Sequence, residues 1–344
     1  MPIEVLPALI TAAVASSVVA ALVAVWGPID HPDQRRNHET PTPTAAGLGI
    51  ILGTCLGVAM VGQLMPSLVL LLALATGIGL FGALDDLIDL GPRIKLAAQV
   101  LFALAFALFG AYVDTLPIAP GLSLALGPII GVLGTALWIV VVVNAFNFMD
   151  GANGLSPGAA IIVLLGQAAL SLSHGQPGLA LAALTCAVAG LGFLPWNLPM
   201  GRVFQGDAGA LFSGFMVAGL AVLAGTETAI PNLSPYAMVM ACLPILTDVL
   251  LTLLKRQRAG KVLWEAHRDH VFQRYLAANP GHGALALRFW AIMLGYTVAG
   301  CLAERAPQGW QAGLFALGLI SAIGLWTVLD HNLGLGQTAD RKIG

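Results

Sequence analysis

Charge is what this chain has least of: only 9% of its 344 residues are Asp, Glu, Lys or Arg, against 58% hydrophobic. A soluble domain carries about 25% charged residues, so a water-soluble globule is excluded. Cysteine is sparse as well. Cys55, Cys186, Cys242 and Cys301 each lie inside an apolar run and no CxxC pair occurs. That pattern excludes a disulfide framework and a cysteine-based zinc site, and leaves four small core residues. The net charge is −2, so no nucleic-acid partner is expected. No basic residue precedes the first apolar run, roughly Val5 to Trp26, which therefore reads as a retained span and not a cleavable signal. No internal repeat is evident.

What the chain does have is a succession of apolar runs, centred near residues 15, 54, 75, 103, 135, 165, 186, 217, 245, 294 and 320. Each approaches the ~20 residues that a helix needs to cross the hydrocarbon core. They do not alternate with polar residues, which argues against a β-barrel. The expected fold is all-α, a polytopic integral membrane protein of about eleven spans, forming a single membrane-embedded domain over residues 1–344. With the N-terminus outside and the C-terminus in the cytoplasm, every lysine and arginine except Arg305 falls in an inner loop or tail, from Arg35 and Arg36 to Arg341 and Lys342. The opposite orientation reverses the positive-inside rule.

Four polar islands interrupt the apolar background, and the same walk puts all of them on the inner side. The first holds Asp85 and Asp86, followed by Asp89, Arg93 and Lys95. Adjacent carboxylates at a membrane edge repel each other unless a cation sits beside them. A hard divalent ion suits such a pair, because it takes a few carboxylates together with phosphate oxygens. A solvated helix end is the simpler alternative. The second island carries Asn144, Asn147 and Asp150 three residues apart, hence on one helical face. Asp150-Gly151 and Asn153-Gly154 then impose tight turns that free backbone N–H groups for an anion.

The third island runs from Asn197 through Arg202 and Phe204 to Gly206-Asp207, where another apolar run begins. An acid there is ordinarily a helix cap; Arg202 is suited to phosphate and Phe204 to stacking on a base. The fourth and longest contains Lys255, Arg256 and Arg258, then His267, Arg268 and His270. Clustered cations beside a bilayer hold lipid headgroups, whereas interleaved histidines can also bind phosphate or move a proton. Asp248 lies about two turns inside an apolar run, where a carboxylate is costly unless it has a function or snorkels to water.

Taken together, the islands resemble the polyprenyl-phosphate N-acetylhexosamine-1-phosphate transferases of glycosyltransferase family 4. The resemblance runs from about Asp30 to Arg274. It rests on Asn144-x-x-Asn147-x-x-Asp150-Gly151-x-x-Gly154-Leu155, on Asn197-x-Pro199 followed by Gly206-Asp207, and on Asp85-Asp86. The His267-Arg268-x-His270 segment is closest in form to the bacterial O-antigen and related envelope enzymes. The resemblance implies a bacterial inner-membrane enzyme, with its active site facing the cytoplasm and formed by loops near 30–47, 85–95, 144–156, 193–209 and 255–284. It implies transfer of a sugar 1-phosphate from a UDP-N-acetylhexosamine to undecaprenyl phosphate with release of UMP, the first membrane step of an envelope glycan such as lipopolysaccharide.

By position, Asp86 and Asp207 are the implied Mg²⁺ ligands, with Mn²⁺ as a substitute. Asp85 is implied to position the lipid phosphate, and Asp150, His267 and His270 complete the catalytic set. Lys95, Asn144, Asn147, Asn153, Asn197, Arg202, Phe204 and Arg268 are implied to contact substrate. A homodimer is compatible with this reading. The chain departs from the family pattern at Thr44-Ala45-Ala46, which replaces Arg-Gly-Gly, at Asn153 in place of an acid, and at Phe272 in place of a tyrosine. Two other classes compete. An intramembrane prenyltransferase would use Asp85-Asp86-x-x-Asp89 but expects a second Asp-rich cluster, which is absent. A secondary transporter expects polar groups at the bilayer midplane.

Overall fold

The computed structural model describes residues 5–31, 40–62, 65–226, 233–262, 267–279, 281–307 and 309–343, with side chains described as far as 333. Arg35, Arg36 and His38 of the first inner loop lie outside the described residues, as do the side chains of Arg341 and Lys342. The helices are α1 (Val5–Trp26), α2 (Gly47–Val61), α3 (Pro66–Ile88), α4 (Pro92–Phe109), α5 (Gly127–Met149), α6 (Leu155–Ser173), α7 (Pro177–Asn197), α8 (Gly206–Thr226), α9 (Tyr236–Arg258), α10 (Val271–Ala278), α11 (His282–Ala303) and α12 (Gln311–Ile343). Two short antiparallel pairs accompany them, β1 (Ile29–Asp30) with β2 (Thr42–Pro43) and β3 (Thr115–Ala119) with β4 (Leu122–Ala125).

The helices begin and end where the sequence punctuates them. Proline occupies the first turn of α3, α4, α5 and α7, where its missing N–H costs nothing. Gly62 closes α2 in the left-handed conformation. Among the described residues, ten helices are long and apolar enough to cross a membrane, one fewer than the apolar runs suggest. The exception is α2, whose 15 residues extend only about 22 Å. Its start meets the start of α8 at Gly47 and Gly209, while Gly57 lies against Ala8 near the opposite end of α1.

At the centre of the bundle stands α8, whose spanning window is 89% buried, while that of α12 is only 6% buried. The sequence of α8 explains its place: GDAGALFSGFMVAGLAVLAG alternates small and large residues, so neighbouring backbones approach closely. A Cβ on Gly82 of α3 would lie 2.5 Å from the Asp207 carbonyl oxygen. That approach sets the Asp85–Asp86 end of α3 directly beside the first turn of α8.

Candidate active site

Seven chain segments meet at one end of the bundle around a cavity of about 680 Å³, a size suited to a nucleotide-sized ligand. Its lining comes from the C-terminal ends of α3 and α5, the N-terminal ends of α4, α8 and α11, the β1–β2 region and α10. The charge of this lining is strongly one-sided. Asp30, Asp85, Asp86, Asp89, Asp150 and Asp207 face the cavity, and Lys95 is the one lysine or arginine among the lining residues.

Lys95 is held between two of these acids. Its Nζ lies 2.6 Å from Asp85 Oδ2 and 2.6 Å from Asp207 Oδ2. Asn147 Nδ2 donates to the other Asp207 oxygen at 2.7 Å, and Asp85 Oδ1 accepts the Leu90 N–H at 2.9 Å. Asp86 is engaged differently, since its oxygens accept the backbone N–H groups of Asp207 at 3.0 Å and Ala208 at 3.3 Å. It therefore caps α8, meeting the unpaired donors and the positive end of that helix. Gly206, at φ 66, makes the turn possible; a Cβ there would lie 2.3 Å from Asp86 Oδ2.

Asp150 closes the floor, where its Oδ1 accepts from Gln205 Nε2 at 2.7 Å, and the same Gln205 amide donates to Ser156 at 3.1 Å. Burial pushes the Asp150 carboxyl well above the usual carboxylate range, against the Gln205 hydrogen bond, and Asp207 and Asp86 push it the same way. Segment 43–47 lies along 204–205 through Phe204 N–Pro43 O at 2.8 Å, Ala46 N–Phe204 O at 3.0 Å and Gly47 N–Gln205 O at 2.9 Å. These backbone bonds bring Thr44 and Phe204 to the rim.

Of the residues singled out in the sequence, the cavity thus gathers Asp85, Asp86, Lys95, Asn147, Asp150, Asn153, Phe204 and Asp207. Others fall behind or beside it. Asn144 bonds Gln99 of α4 and the Val140 carbonyl, so it ties α5 to α4 and is absent from the lining. Asn197 is buried, accepting from Gly154 N at 2.5 Å and donating to Val203 O at 3.0 Å; it joins the α5–α6 turn to the 198–205 loop. Arg202 is exposed outside the lining.

His267, Arg268 and His270 are also not lining residues. His270 packs behind Phe148, with ring centroids 5.6 Å apart, and His267 stacks on His270 at 4.9 Å. Burial, with His270 and Arg256 nearby, brings the His267 pKa down to about 4; burial lowers that of His270 too, against the pull of Asp248. Asp248 is a helix cap delivered from another element. Its Oδ1 accepts the Val271 N–H at 2.9 Å and Trp326 Nε1 at 3.2 Å, fastening α10 and α12 to α9. Arg256 pairs with Asp269, which ties down the histidine loop.

Several cavity residues carry no assigned role in the sequence reading. Gln273 reaches the lining from α10, His282 from the first residue of α11, and Thr44 and Asp30 from the β1–β2 region. Gln205 left a signal, a polar residue directly before Gly206-Asp207. His282 left only a lone histidine at the start of an apolar run.

The carboxylates facing the cavity offer oxygen donors, which suit a hard divalent cation. Among the described residues no three acidic, histidine or cysteine side chains form a ready metal-holding group. Mg²⁺ ordinarily takes one or two carboxylates and completes its shell with substrate oxygens and water. Asp86 and Asp207, adjacent across the α3–α8 contact, could supply two carboxylates.

A polytopic helical membrane protein with an acidic, oxygen-lined cavity at one end of its bundle is the class that fold and site define. Comparison with known proteins narrows it. Residues 68–225 match the model of glycosyl transferase family 4. The decaprenyl-phosphate N-acetylglucosaminephosphotransferase of Mycobacterium leprae is 29% identical over 93% of this chain and 88% of its own length. The undecaprenyl-phosphate alpha-N-acetylglucosaminyl 1-phosphate transferases of Yersinia pestis and Escherichia coli are 29% and 28% identical over 76% and 74% of this chain, covering 73% and 70% of their own lengths. Together these matches support a likeness to the polyprenyl-phosphate N-acetylhexosamine-1-phosphate transferases of glycosyl transferase family 4.

Proposed function

We propose that this protein transfers an N-acetylhexosamine 1-phosphate from a UDP-sugar to undecaprenyl phosphate, giving the lipid diphosphate sugar and UMP. The observation that carries the reading is the acidic cavity with Lys95 bridging Asp85 and Asp207. A cavity of that sign repels a diphosphate that arrives alone. It accepts one that arrives with a divalent cation. The three relatives described above are named as sugar-phosphate transferases to polyprenyl phosphates, which supports the same class of reaction here.

An oxygen of the lipid phosphate attacks the β-phosphorus of the UDP-sugar; the bond from that phosphorus to the bridging oxygen of UMP breaks, and UMP leaves. Catalysis of such a step is mostly positioning and charge neutralisation. Asp86 and Asp207 would hold Mg²⁺, which when bound supplies positive charge to the diphosphate oxygens. Lys95 adds a second cation at the same place and is the group that must release its carboxylates as substrate enters. Asn147 fixes the rotamer of Asp207. Asp85 orients the incoming lipid phosphate, which is already largely dianionic near neutrality and needs little help to lose a proton. Asn153 and Phe204 at the rim suit the uracil ring. Asp150 and its Gln205 partner shape the floor.

The proposed setting is the bacterial inner membrane, with the cavity facing the cytoplasm, a reading supported by the positive-inside bias of the lysines and arginines. The product would begin a cell-envelope glycan. Purified protein in detergent, given UDP-N-acetylglucosamine, undecaprenyl phosphate and Mg²⁺, should form lipid-linked sugar and UMP in equal amounts. UMP release with no lipid product would refute the transfer.

A further inference from the structure

Away from the acidic cavity, α9, α10, α11 and α12 enclose a second hollow of about 180 Å³. Its walls are apolar, among them Pro244, Phe272, Leu285, Phe289 and Leu325, and its one cation is Arg288. Arg288 stands six residues beyond His282, about 9 Å further along α11 and turned roughly 240° around it. It is therefore about two turns inside a spanning helix, on a different face from the cavity. A guanidinium at that depth needs an anion or a route back to water. Among the described residues no carboxylate pairs with it, and its nearest aromatic partner is the Tyr275 ring at 5.5 Å. The acids around it are engaged elsewhere. Asp248 caps α10 and bonds Trp326, and Asp330 pairs with Lys255 at 2.8 Å and with Arg274.

The outer wall of the hollow is α12, the least buried helix of the ten. It is fastened to the bundle at one end through Asp330 and Trp326 and further along through the small cluster of Met240, Leu243, Ala303 and Ala322. The hollow lies between these ties, beside a helix that faces lipid.

We propose that an anionic phospholipid of the surrounding leaflet seats here, its phosphate on Arg288 and part of an acyl chain in the hollow. Charge and shape both argue for it: one unpaired cation sits at the edge of an apolar cleft. The polyprenyl phosphate substrate is the weaker match. The hollow and the acidic cavity share no lining residue, and α10 stands between them, with Gln273 on the cavity side and Phe272 and Tyr275 on the hollow side. A phosphate on Arg288 is thus separated from Lys95 and Asp85. Such a lipid would fill the space under α12 and brace α10, so it would steady one wall of the cavity without entering it. The proposal does not depend on the reaction assigned above.

The full-length protein, washed free of lipid in mild detergent, is incubated with micelles containing phosphatidylglycerol, phosphatidylcholine or undecaprenyl phosphate, and bound lipid is counted by native mass spectrometry. Wild type and Arg288→Lys should each retain one phosphatidylglycerol, with phosphatidylcholine held roughly fivefold more weakly, as expected for one juxtamembrane cation. Arg288→Gln should lose that preference, and Leu325→Trp, which fills the hollow, should lose the lipid itself. Melting temperatures of the washed variants separate loss of lipid from loss of fold. Equal retention of phosphatidylglycerol by wild type, Arg288→Gln and Leu325→Trp would overturn the proposal. Retention of phosphatidylcholine as firm as that of phosphatidylglycerol would overturn the role of Arg288. Undecaprenyl phosphate that bound through Arg288 and displaced phosphatidylglycerol would assign the hollow to the substrate instead.

Discussion

Asp86 accepts the backbone N–H of Asp207 at 3.0 Å, so one member of the acidic pair caps the helix that carries the other. The two residues are therefore coupled through backbone as well as charge, and substitutions should separate their roles. Asp86→Ala should cost about 1 kcal/mol of stability from the lost cap as well as activity. Asp207→Asn leaves the cap acceptor in place. It should keep the melting temperature within a degree or two of wild type while cutting turnover by about a hundredfold or more. Thermal melting alongside labelled-sugar transfer checks both.

Removal of divalent ions should abolish transfer, and Mg²⁺ should restore it, with Mn²⁺ as a weaker substitute. Titration of the metal against Asp86→Asn and Asp207→Asn tests which carboxylates hold it. Each variant should raise the half-maximal Mg²⁺ concentration or fail to respond at all; an unchanged metal requirement in both would remove them as ligands.

Ala45 occupies the left-handed region, at φ 70, where the resembling family segment carries glycine. A non-glycine residue there costs about 1–2 kcal/mol. Ala45→Gly should recover roughly 1 kcal/mol, less the extra freedom glycine gains in the unfolded chain, and raise the melting temperature. The backbone bonds of Ala46 and Gly47 to segment 204–205 should keep activity unchanged.

Gln205 bonds both Asp150 and Ser156 at the floor of the cavity. Gln205→Leu leaves the Asp150 carboxyl without its donor and should lower turnover roughly 10–100-fold, the usual cost of losing a supporting hydrogen bond. Gln205→Glu, which keeps the shape but adds charge beside Asp150, should be worse than Gln205→Asn.

His267 should make the protein acid-sensitive. Its pKa is about 4 in the folded chain against an ordinary 6.5. Between those values the unfolded chain binds more protons, so stability falls as pH is lowered through that window and is unaffected above it. His267→Gln should flatten part of that slope. Melting curves of both proteins across the window give the comparison.

Much of this arrangement is legible in the sequence because its signals are local. Runs of apolar residues mark the spans, and the spacing of Asn147 and Asp150, with Gly206-Asp207, marks helix ends that must face one another once the spans alternate. What could not be read depends on distances between elements. Lys95 meets Asp207 across 112 positions, and nothing in either neighbourhood announces the pair. Asn144 shares a helical stripe with Asn147 yet turns to Gln99, because α4 packs against that side of α5. Asp248, a costly carboxylate in an apolar run, proves to cap α10 from outside its own helix. The span count differs at α2, which is apolar but only 15 residues long and so falls below spanning length.

The central claim is that phosphorus moves together with the sugar. A UDP-N-acetylhexosamine labelled at its β-phosphorus, incubated with the protein, Mg²⁺ and undecaprenyl phosphate, should deliver the label to the organic phase as lipid diphosphate sugar and leave unlabelled UMP in water. Label that stayed in the aqueous phase as UDP while sugar moved to lipid would contradict the account.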